Sequence, residues 1–379
     1  MKNIVVLGST GSIGRNTLEV VESLGGFRVV AISGHRNRAL LEAQAWRVRP
    51  RYVILTDTSE ASGWRPDLPP GTELWVGKSY LSQAAALPEV DMVVSAIVGR
   101  AGLESTVAAV QAGKQIALAN KESLVVGGSV VTRLLRQTGA KIVPVDSEHS
   151  ALFQTLQAGK RHELRRVILT ASGGPFREHA DDALATVTLH ESLRHPTWNM
   201  GVKVTLDSAT LMNKALEIIE AKWLFELDRG QLEVMIHPQS MVHSMVEFCD
   251  GAVIAQISPP DMRLPIQYAL SWPERFPEGP ANRMDWTQNL HWDFFAPDPN
   301  RPRYEALRLG LETAAAGGNA GAVLNAANEV AVQRFIQGKL RFDRIVPFVR
   351  DVMETFAFQP EPTLEDLIAL DEEIRGIYS

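Results

Sequence analysis

Six short runs rich in β-branched residues alternate with helix-compatible stretches through the first 145 residues. A strand followed by a crossover helix, repeated in this way, is the pattern of a parallel sheet with helices on its faces. The runs that we predict as strands are Asn3–Leu7, Arg28–Ser33, Tyr52–Thr56, Met92–Ile97, Gln115–Leu118 and Lys141–Val145. The alternation therefore predicts a doubly wound α/β domain over residues 1–145.

The pattern changes after Pro144, where apolar runs follow one another with few helical stretches between the later ones. A central α+β domain over residues 146–275 is expected, with strands at Arg166–Thr170, Val202–Leu206, Glu233–Ile236, Met241–Phe248 and Ala252–Ile257. Residues 276–303 are rich in proline and polar side chains, which is typical of a linker. Helical patterns near 304–316, 320–337, 342–357 and 364–376 predict a small C-terminal helical bundle over residues 304–379.

Charge and cysteine content exclude several classes of protein. The formal net charge is −6, and no run of Lys and Arg exceeds a pair, so general binding to nucleic acid or to an anionic membrane is not expected. No segment approaches the 18 apolar residues of a membrane helix. Cys249 is the only cysteine, which excludes an intrachain disulfide and fits a reducing, cytoplasmic compartment.

A glycine-rich turn, Gly8-Ser-Thr-Gly11-Ser-Ile-Gly14, lies between the first predicted strand and the first predicted helix. A dinucleotide pyrophosphate binds at this position in Rossmann-like domains, on free backbone N–H groups at the helix N-terminus. The spacing differs from G-x-G-x-x-G, so the motif depends on its strand–turn–helix context. The alternative is a tight turn with no ligand.

The end of the second predicted strand indicates which dinucleotide is bound. The segment Ser33-Gly34-His35-Arg36-Asn37-Arg38 offers basic groups where an NAD enzyme usually places an acidic residue. Arg36 and Arg38 suit a 2′-phosphate, so NADP(H) is favoured over NAD(H). The alternative is that both arginines only face solvent.

Asp146-Ser147-Glu148 follows the sixth predicted strand. On an extended chain, residues two apart point to the same side, so the two carboxylates would converge on one point. Hard oxygen ligands of this kind suit Mg²⁺ or Mn²⁺. The alternative is that Asp146 or Ser147 caps the following helix.

Polar groups are densest between His195 and Glu217. Ser208 occupies an expected N-cap position, and Asn213, Lys214 and Glu217 share one face of the helix expected to follow. This set suits a corner that binds a phosphate and a metal ion, with Glu217 as a third carboxylate ligand. An amphipathic surface helix with an ordinary Lys–Glu pair is the alternative.

Two further segments have open alternatives. The turn beginning at Ser172 can contact a phosphate or be a flexible loop. Trp198 belongs either to a mobile flap over a substrate or to ordinary packing. We interpret His149, His237 and His243 as structural, and Asn325, Asn328 and Glu329 as groups that hydrogen-bond between helices.

Taken together, seven segments resemble the 1-deoxy-D-xylulose 5-phosphate reductoisomerase family over essentially the whole chain. They are Gly8–Gly14, Ala119–Ser123, Val145–His149, Ser172–Phe176, His195–Gly201, Asp207–Glu217 and Leu324–Val330. The resemblance implies a homodimer in which NADPH and a divalent cation, Mg²⁺ or Mn²⁺ with Co²⁺ as a further option, convert a small phosphorylated sugar. The product would be 2-C-methyl-D-erythritol 4-phosphate of the non-mevalonate isoprenoid pathway, formed by retro-aldol and aldol steps or by a concerted ketol shift, and then by hydride transfer.

The resemblance also implies roles for individual residues. The metal ligands would be Asp146, Glu148 and Glu217, and the catalytic residues would be these three with Lys121 and His195. The substrate would contact Ser147, Glu148, Ser172, His195, Trp198, Ser208, Asn213, Lys214 and Glu217. The cofactor would contact Thr10, Gly11, Ser12, Ile13, Gly34, Arg36, Asn37, Asn120, Glu122 and Gly201.

Two other functions remain open from the residues alone. A simple NADP-dependent dehydrogenase of a small phosphorylated hydroxy-aldehyde or semialdehyde would not require a three-carboxylate metal site. A non-enzymatic NADP(H)-sensing module would bind NADPH without oxidising it in the presence of a substrate.

Overall fold

The computed structural model describes residues 1–198, 200–288 and 290–379. The chain forms two compact units. The first comprises residues 1–123, 131–150 and 261–282, and the second comprises residues 124–130, 151–260 and 283–379. Among the described residues, no helix has the length and apolar character needed to cross a membrane.

The first unit contains a parallel sheet of seven strands in the order β4-β3-β2-β1-β5-β6-β7. The strands are β1 (Lys2–Leu7), β2 (Phe27–Gly34), β3 (Tyr52–Leu55), β4 (Glu73–Val76), β5 (Met92–Ser95), β6 (Gln115–Leu118) and β7 (Lys141–Pro144). Ile4 to Leu7 are fully buried, as expected for a central strand that is covered on both faces. The predicted doubly wound sheet is confirmed, with β4 as an additional edge strand.

The first six helices connect these strands, and the seventh follows β7. They are α1 (Ser12–Leu24), α2 (Arg38–Val48), α3 (Thr58–Ala61), α4 (Ser79–Ala85), α5 (Leu103–Gln111), α6 (Glu122–Thr138) and α7 (Ser147–Thr155). The strand order reverses between β1 and β5, and ligands of open α/β sheets bind outside the carboxyl ends of strands at such a point.

The second unit contains a four-stranded sheet in the order β11-β10-β8-β9. Its strands are β8 (Leu164–Ala171), β9 (Leu232–Ile236), β10 (Val242–Phe248) and β11 (Val253–Ile257). The remaining helices of the chain are α8 (Leu189–Ser192), α9 (Val202–Ala209), α10 (Met212–Phe225), α11 (Arg263–Ser271), α12 (Glu305–Ala316), α13 (Ala320–Ile336), α14 (Ile345–Thr355) and α15 (Leu364–Tyr378). Of these helices, only α11 belongs to the first unit.

The C-terminal helices share a core with the second sheet. Leu169 of β8, Leu216 of α10 and Leu324 of α13 belong to the same buried cluster. Helices α10 and α12 approach closely at Gly310, where a Cβ atom would lie 2.7 Å from the Cα of Ala215. The predicted helical bundle is therefore present as part of a larger core.

Two features differ from the sequence expectations. Residues 202–206, predicted as a strand, form most of helix α9. Helix α11, placed by sequence within residues 146–275, packs in the first unit against α1, β6 and β7. The β-branched residues Val202, Val204 and Thr205 suggested a strand, but packing of the buried Leu206 and Ala209 overrides that local preference.

Candidate functional site

The glycine-rich turn after β1 forms a cradle of close backbone contacts. Gly8 has a φ of 85°, and a Cβ atom there would lie 2.5 Å from the carbonyl oxygen of Ala96. A Cβ atom at Gly14 would lie 2.3 Å from the carbonyl oxygen of Gly8. Gly11 caps α1 without a side-chain hydrogen bond, so no capping side chain occupies the first N–H groups of this helix. Thr10, Ser12 and Ile13 lie in the same turn.

The end of β2 carries the basic groups predicted to select NADP(H). Arg36 donates from Nε to Asp57 Oδ2 at 2.7 Å. Hydrogen bonds from the Ser59 hydroxyl and from this guanidinium hold the pKa of Asp57 well below its usual range. Gly34 lies against Thr10, since a Cβ atom at Gly34 would be 3.0 Å from Thr10 Cγ2. Asn37 caps α2 by accepting from the N–H of Leu40.

Asn120 and Glu122, both predicted to contact the cofactor, are buried. The Asn120 amide donates to the carbonyl oxygen of Gly99 at 2.8 Å and to Glu122 Oε2 at 3.1 Å, while its oxygen accepts from the N–H of Ser123 at 3.0 Å. Asn120 therefore fixes the loop after β5 to the start of α6.

The carboxyl end of β7 leads directly into helix α7. Asp146 pairs with the buried Lys121, and Ser147 Oγ donates to Glu148 Oε2 at 2.6 Å. The N–H of Ser150 donates to the carbonyl oxygen of Asp146, so Asp146 and Glu148 lie at the start of a helix. The extended-chain geometry that we expected for these two carboxylates is wrong.

The turn after β8 lies against the end of α9. Gly173 and Gly174 have φ values of 84° and 71°, and a Cβ atom at Gly174 would lie 2.7 Å from the carbonyl oxygen of Ser208. The N–H of Gly174 donates to Ser172 Oγ at 3.3 Å. Two serines that are far apart in sequence are thus brought to adjoining turns.

His195 connects this turn to the segment that contains Trp198. Its Nδ1 accepts the N–H groups of Thr197 at 3.2 Å and Trp198 at 2.9 Å, so the ring proton belongs on Nε2, which faces Ser172 Oγ at 3.2 Å. Burial lowers the pKa of His195 to about 4, which keeps the imidazole neutral. The Ser172 hydroxyl oxygen then accepts from Nε2, and its own hydrogen remains available for donation to another group. Asn199 lies outside the described residues.

Helix α10 carries the remaining predicted side chains of the second unit. Lys214 and the amide of Asn213 both contact the Glu217 carboxylate, and Lys214 and Glu217 are buried. Ser208 lies in the last turn of α9, so its expected N-cap position on the following helix is wrong. Leu211 separates α9 from α10 with a φ of 62°, in the left-handed region that favours glycine. Gly201 caps the other end of α9.

His243, interpreted from sequence as structural, lies near the predicted flap. Its ring centre is 6.2 Å from that of Trp198, and its Nε2 is 3.2 Å from the carbonyl oxygen of Ser258. Burial lowers the pKa of His243 to about 4, with a smaller lowering from the charge of Lys214. Trp198 lies in a distant part of the sequence, so local sequence does not encode its contact with His243.

A buried network joins α9 to the C-terminal helices. Asn328 donates to Asp207 Oδ1 at 2.9 Å, and Lys203 Nζ lies 2.8 Å from Asp207 Oδ2. For Asn328, the prediction of a hydrogen bond between helices is confirmed. Asp207 precedes Ser208, so this network fixes the turn that carries Ser208.

The side chains and backbone suit the predicted cofactors. Asp146 and Glu148 in the first unit and Glu217 in the second are hard oxygen donors of the kind that Mg²⁺ and Mn²⁺ prefer. Lys121 and Lys214 balance the charge of two of them. The cradle at Gly8 and Gly14 has no room for side chains, as close approach of a pyrophosphate to the backbone requires.

Comparisons with known proteins agree along the whole chain. Family models described as 1-deoxy-D-xylulose 5-phosphate reductoisomerase, its C-terminal domain and the DXP reductoisomerase C-terminal domain match residues 4–128, 142–225 and 257–377. The reductoisomerase of Pelotomaculum thermopropionicum is 49% identical, with 100% of this chain and 97% of the relative covered. That of Heliobacterium modesticaldum is 50% identical, with 96% and 93% covered.

Solved structures give the same result. A DOX-P reductoisomerase crystallised with NADPH, fosmidomycin and magnesium matches with a TM-score of 0.91 and 35% identity, over 100% of this chain and 97% of that one. The Zymomonas mobilis reductoisomerase in complex with NADPH matches with a TM-score of 0.89 and 40% identity, over 99% and 97%. With family models over most of its length and relatives of 49% and 50% identity, the chain belongs to the 1-deoxy-D-xylulose 5-phosphate reductoisomerase family.

Proposed function

We propose that this chain converts 1-deoxy-D-xylulose 5-phosphate into 2-C-methyl-D-erythritol 4-phosphate, with NADPH as reductant and a divalent cation as metal cofactor. The chain is an NADPH-dependent oxidoreductase of isoprenoid synthesis. The observation that carries this proposal is 49% identity to a named reductoisomerase over the full length of the chain.

NADPH would bind at the carboxyl edge of the parallel sheet. The N–H groups at the start of α1, which no capping side chain occupies, would receive the pyrophosphate, and the absence of side chains at Gly8 and Gly14 lets it approach the backbone. Asp57 accepts a hydrogen bond from Nε of Arg36, so the terminal nitrogens of the guanidinium can face a 2′-phosphate.

Asp146, Glu148 and Glu217 would hold the cation. A bound divalent ion supplies a Lewis acid for a ketone and its neighbouring hydroxyl, and NADPH supplies the hydride. Lys121 is buried beside Asp146, and Lys214 is buried beside Glu217, so each lysine holds a positive charge beside a ligand carboxylate.

Ser172, Ser208, Asn213 and Lys214 would bind the substrate phosphate. The adjoining turns of Ser172 and Ser208 support this role, because they bring two hydroxyl-bearing residues together within the second unit. Neutral His195 orients the Ser172 hydroxyl and accepts the N–H of Trp198, which couples the phosphate-binding turn to the flap. Closure of such a flap excludes water from the reacting groups.

The experiment that tests the function follows NADPH absorbance after addition of 1-deoxy-D-xylulose 5-phosphate, with Mg²⁺ or Mn²⁺ and then with a chelator. We expect NADPH to be consumed only when the metal ion is present. Consumption that persists with the chelator would favour a simple dehydrogenase. A folded protein that binds NADPH without consuming it would contradict the enzymatic function and favour a sensing module.

We also propose a cytoplasmic homodimer. Strand β11 lies at an edge of the second sheet, and Val253, Ile254 and Ile257 are exposed on it, which is the type of edge that a second copy can cover. Light scattering is expected to give twice the 41.7 kDa mass of one chain, and a monomer would contradict this assembly.

A further inference from the structure

Arg303 lies at the end of the segment that the sequence indicates to be a linker, yet its side chain is only 6% exposed. The guanidinium contacts one short segment at several points. Nε donates to Asp181 Oδ1 at 2.5 Å, Nη1 donates to the carbonyl oxygens of Phe176 and Arg177, and Nη2 donates to that of His179. One side chain therefore binds three backbone carbonyls and a carboxylate.

The segment that Arg303 holds, residues 176–181, follows the turn of Ser172 directly. That turn is packed so closely against α9 that a Cβ atom at Gly174 would lie 2.7 Å from the carbonyl oxygen of Ser208. Between Gly174 and Phe176 there is only Pro175. A displacement of the Phe176 carbonyl is therefore transmitted over two residues to the turn that carries Ser172.

The side chains of the same segment are held independently of Arg303. The Phe176 ring packs edge-on against Phe342 with ring centres 5.1 Å apart, and Phe342 packs against Phe335 in the core. The aromatic contacts thus anchor the segment to the C-terminal helices, while Arg303 sets the direction of its backbone. Loss of Arg303 should leave the segment attached and change the placement of the turn.

We propose that Arg303 is a positioning residue for binding of the substrate phosphate. It acts through the backbone of residues 176–181 and touches neither substrate nor cofactor. The planar guanidinium fork matches several acceptors at once, which a lysine ammonium cannot do. The inference rests on the proposed function, because it takes Ser172 as a phosphate ligand.

Arg301 is a matched control. It binds the same carboxylate, with Nε and Nη2 at 3.2 and 3.0 Å from the Asp181 oxygens, but its side chain is 41% exposed. Among the described residues, the hydrogen bonds to the carbonyl oxygens of Phe176, Arg177 and His179 come from Arg303 and not from Arg301. Removal of Arg301 changes the local charge as removal of Arg303 does, and leaves the carbonyl contacts in place.

The test compares Arg303→Lys, Arg303→Met and Arg301→Ala in the full-length protein. We expect both Arg303 variants to raise the KM for 1-deoxy-D-xylulose 5-phosphate and the inhibition constant of inorganic phosphate about tenfold, with kcat changed less than about threefold, because charge-assisted hydrogen bonds that orient the turn are lost. The affinity for NADPH and both constants of Arg301→Ala should stay within about twofold of the wild type, since the exposed pair contributes little.

Unchanged phosphate inhibition in a folded Arg303 variant, or a fall in kcat without a rise in KM, would overturn the proposal. Should neither Arg303 variant fold, the milder Arg303→Gln decides in the same assays, because its amide keeps part of the hydrogen bonding of the guanidinium and cannot reach all of the acceptors. A rise in KM would then support the proposal, and an unchanged KM would overturn it. Failure of the wild type itself to consume NADPH would instead contradict the proposed function.

Discussion

The nucleotide cradle and the phosphate-binding region use different parts of the chain for the same task of holding an anionic group. In the cradle, consecutive backbone groups from Gly8 to Gly14 form the surface, and side chains are absent where the ligand approaches. In the second unit, Ser172, His195 and Ser208 come from three separate segments. The first region is therefore defined by local sequence, and the second depends on tertiary packing.

Loss of one polar side chain from the second unit should have the largest effect on turnover. Glu217→Gln should lower metal-dependent turnover by about 10³-fold or more, because a metal ligand contributes several kcal/mol of transition-state stabilisation. NADPH binding should persist, since the cradle is untouched. Steady-state turnover and fluorescence titration with NADPH measure the two effects.

Glu226→Gln, at the exposed C-terminal end of the same helix, is the control for this substitution. Turnover of Glu217→Gln equal to that of the control would remove Glu217 from the metal site.

Substitution of a glycine in the cradle is the converse test, because it changes the cradle alone. Gly14→Ala should weaken NADPH binding about 100-fold, because a Cβ atom 2.3 Å from the carbonyl oxygen of Gly8 forces backbone to move. Gly11→Ala, where the nearest atom is 3.4 Å away, should weaken it less than about fivefold. Calorimetric titration with NADPH distinguishes them, and equal losses in both variants would show that space around Gly14 does not define the cradle.

The preference for NADPH over NADH should depend on one side chain, that of Arg36, in addition to the backbone of the cradle. Arg36→Ala should weaken NADPH binding about 10- to 100-fold, because a charge-assisted contact with the 2′-phosphate is lost, and NADH binding by less than about threefold. Parallel titrations of both nucleotides measure the difference. Equal weakening of the two would contradict the assignment of Arg36 to the 2′-phosphate.

The smallest effect is the pH dependence of the contribution that His195, in the second unit, makes to stability. Because burial lowers the pKa of His195 from an ordinary 6.5 to about 4, the unfolded chain binds its proton first as the pH falls. The contribution of His195 to stability is fully present above pH 6.5 and decreases as the pH falls towards about 4. Imidazole NMR signals, assigned with His195→Gln, should titrate near pH 4, and a midpoint near 6.5 would contradict the buried, neutral ring.

The local sequence pattern predicted those helices and strands whose burial in the fold matches the apolar and β-branched residues that they contain. Strand β6 has the bounds expected from Gln115–Leu118, and the apolar alternation of the first 145 residues produced the parallel sheet. Strand β4 was missed because its four residues are only partly buried and follow a Pro-rich turn. Residues 202–206 were assigned to a strand because β-branched side chains outweighed a helix that forms only through tertiary packing.

The candidate site likewise has one part that local sequence predicts and one part that it does not. The cradle was predicted from glycines that are close together in sequence, whereas the contacts of Ser172 with His195 and of Asp207 with Asn328 join residues 23 and 121 positions apart. Spacing along the chain carries no signal for such pairs. Arg303 was overlooked for the same reason, since its partners lie more than 120 residues earlier, in a segment with no pattern of its own.

Leu211 has a consequence for protein engineering. A search for stabilising substitutions that ranks positions by backbone φ would choose glycine here, because the left-handed conformation costs a non-glycine residue about 1–2 kcal/mol. The leucine side chain is buried in the core of the second unit, and its removal would cost about 2–5 kcal/mol. The bend between α9 and α10 is thus maintained by an unfavourable local conformation that the core stabilises, and a consensus-based redesign that relaxes it would loosen the two helices that carry Ser208 and Glu217.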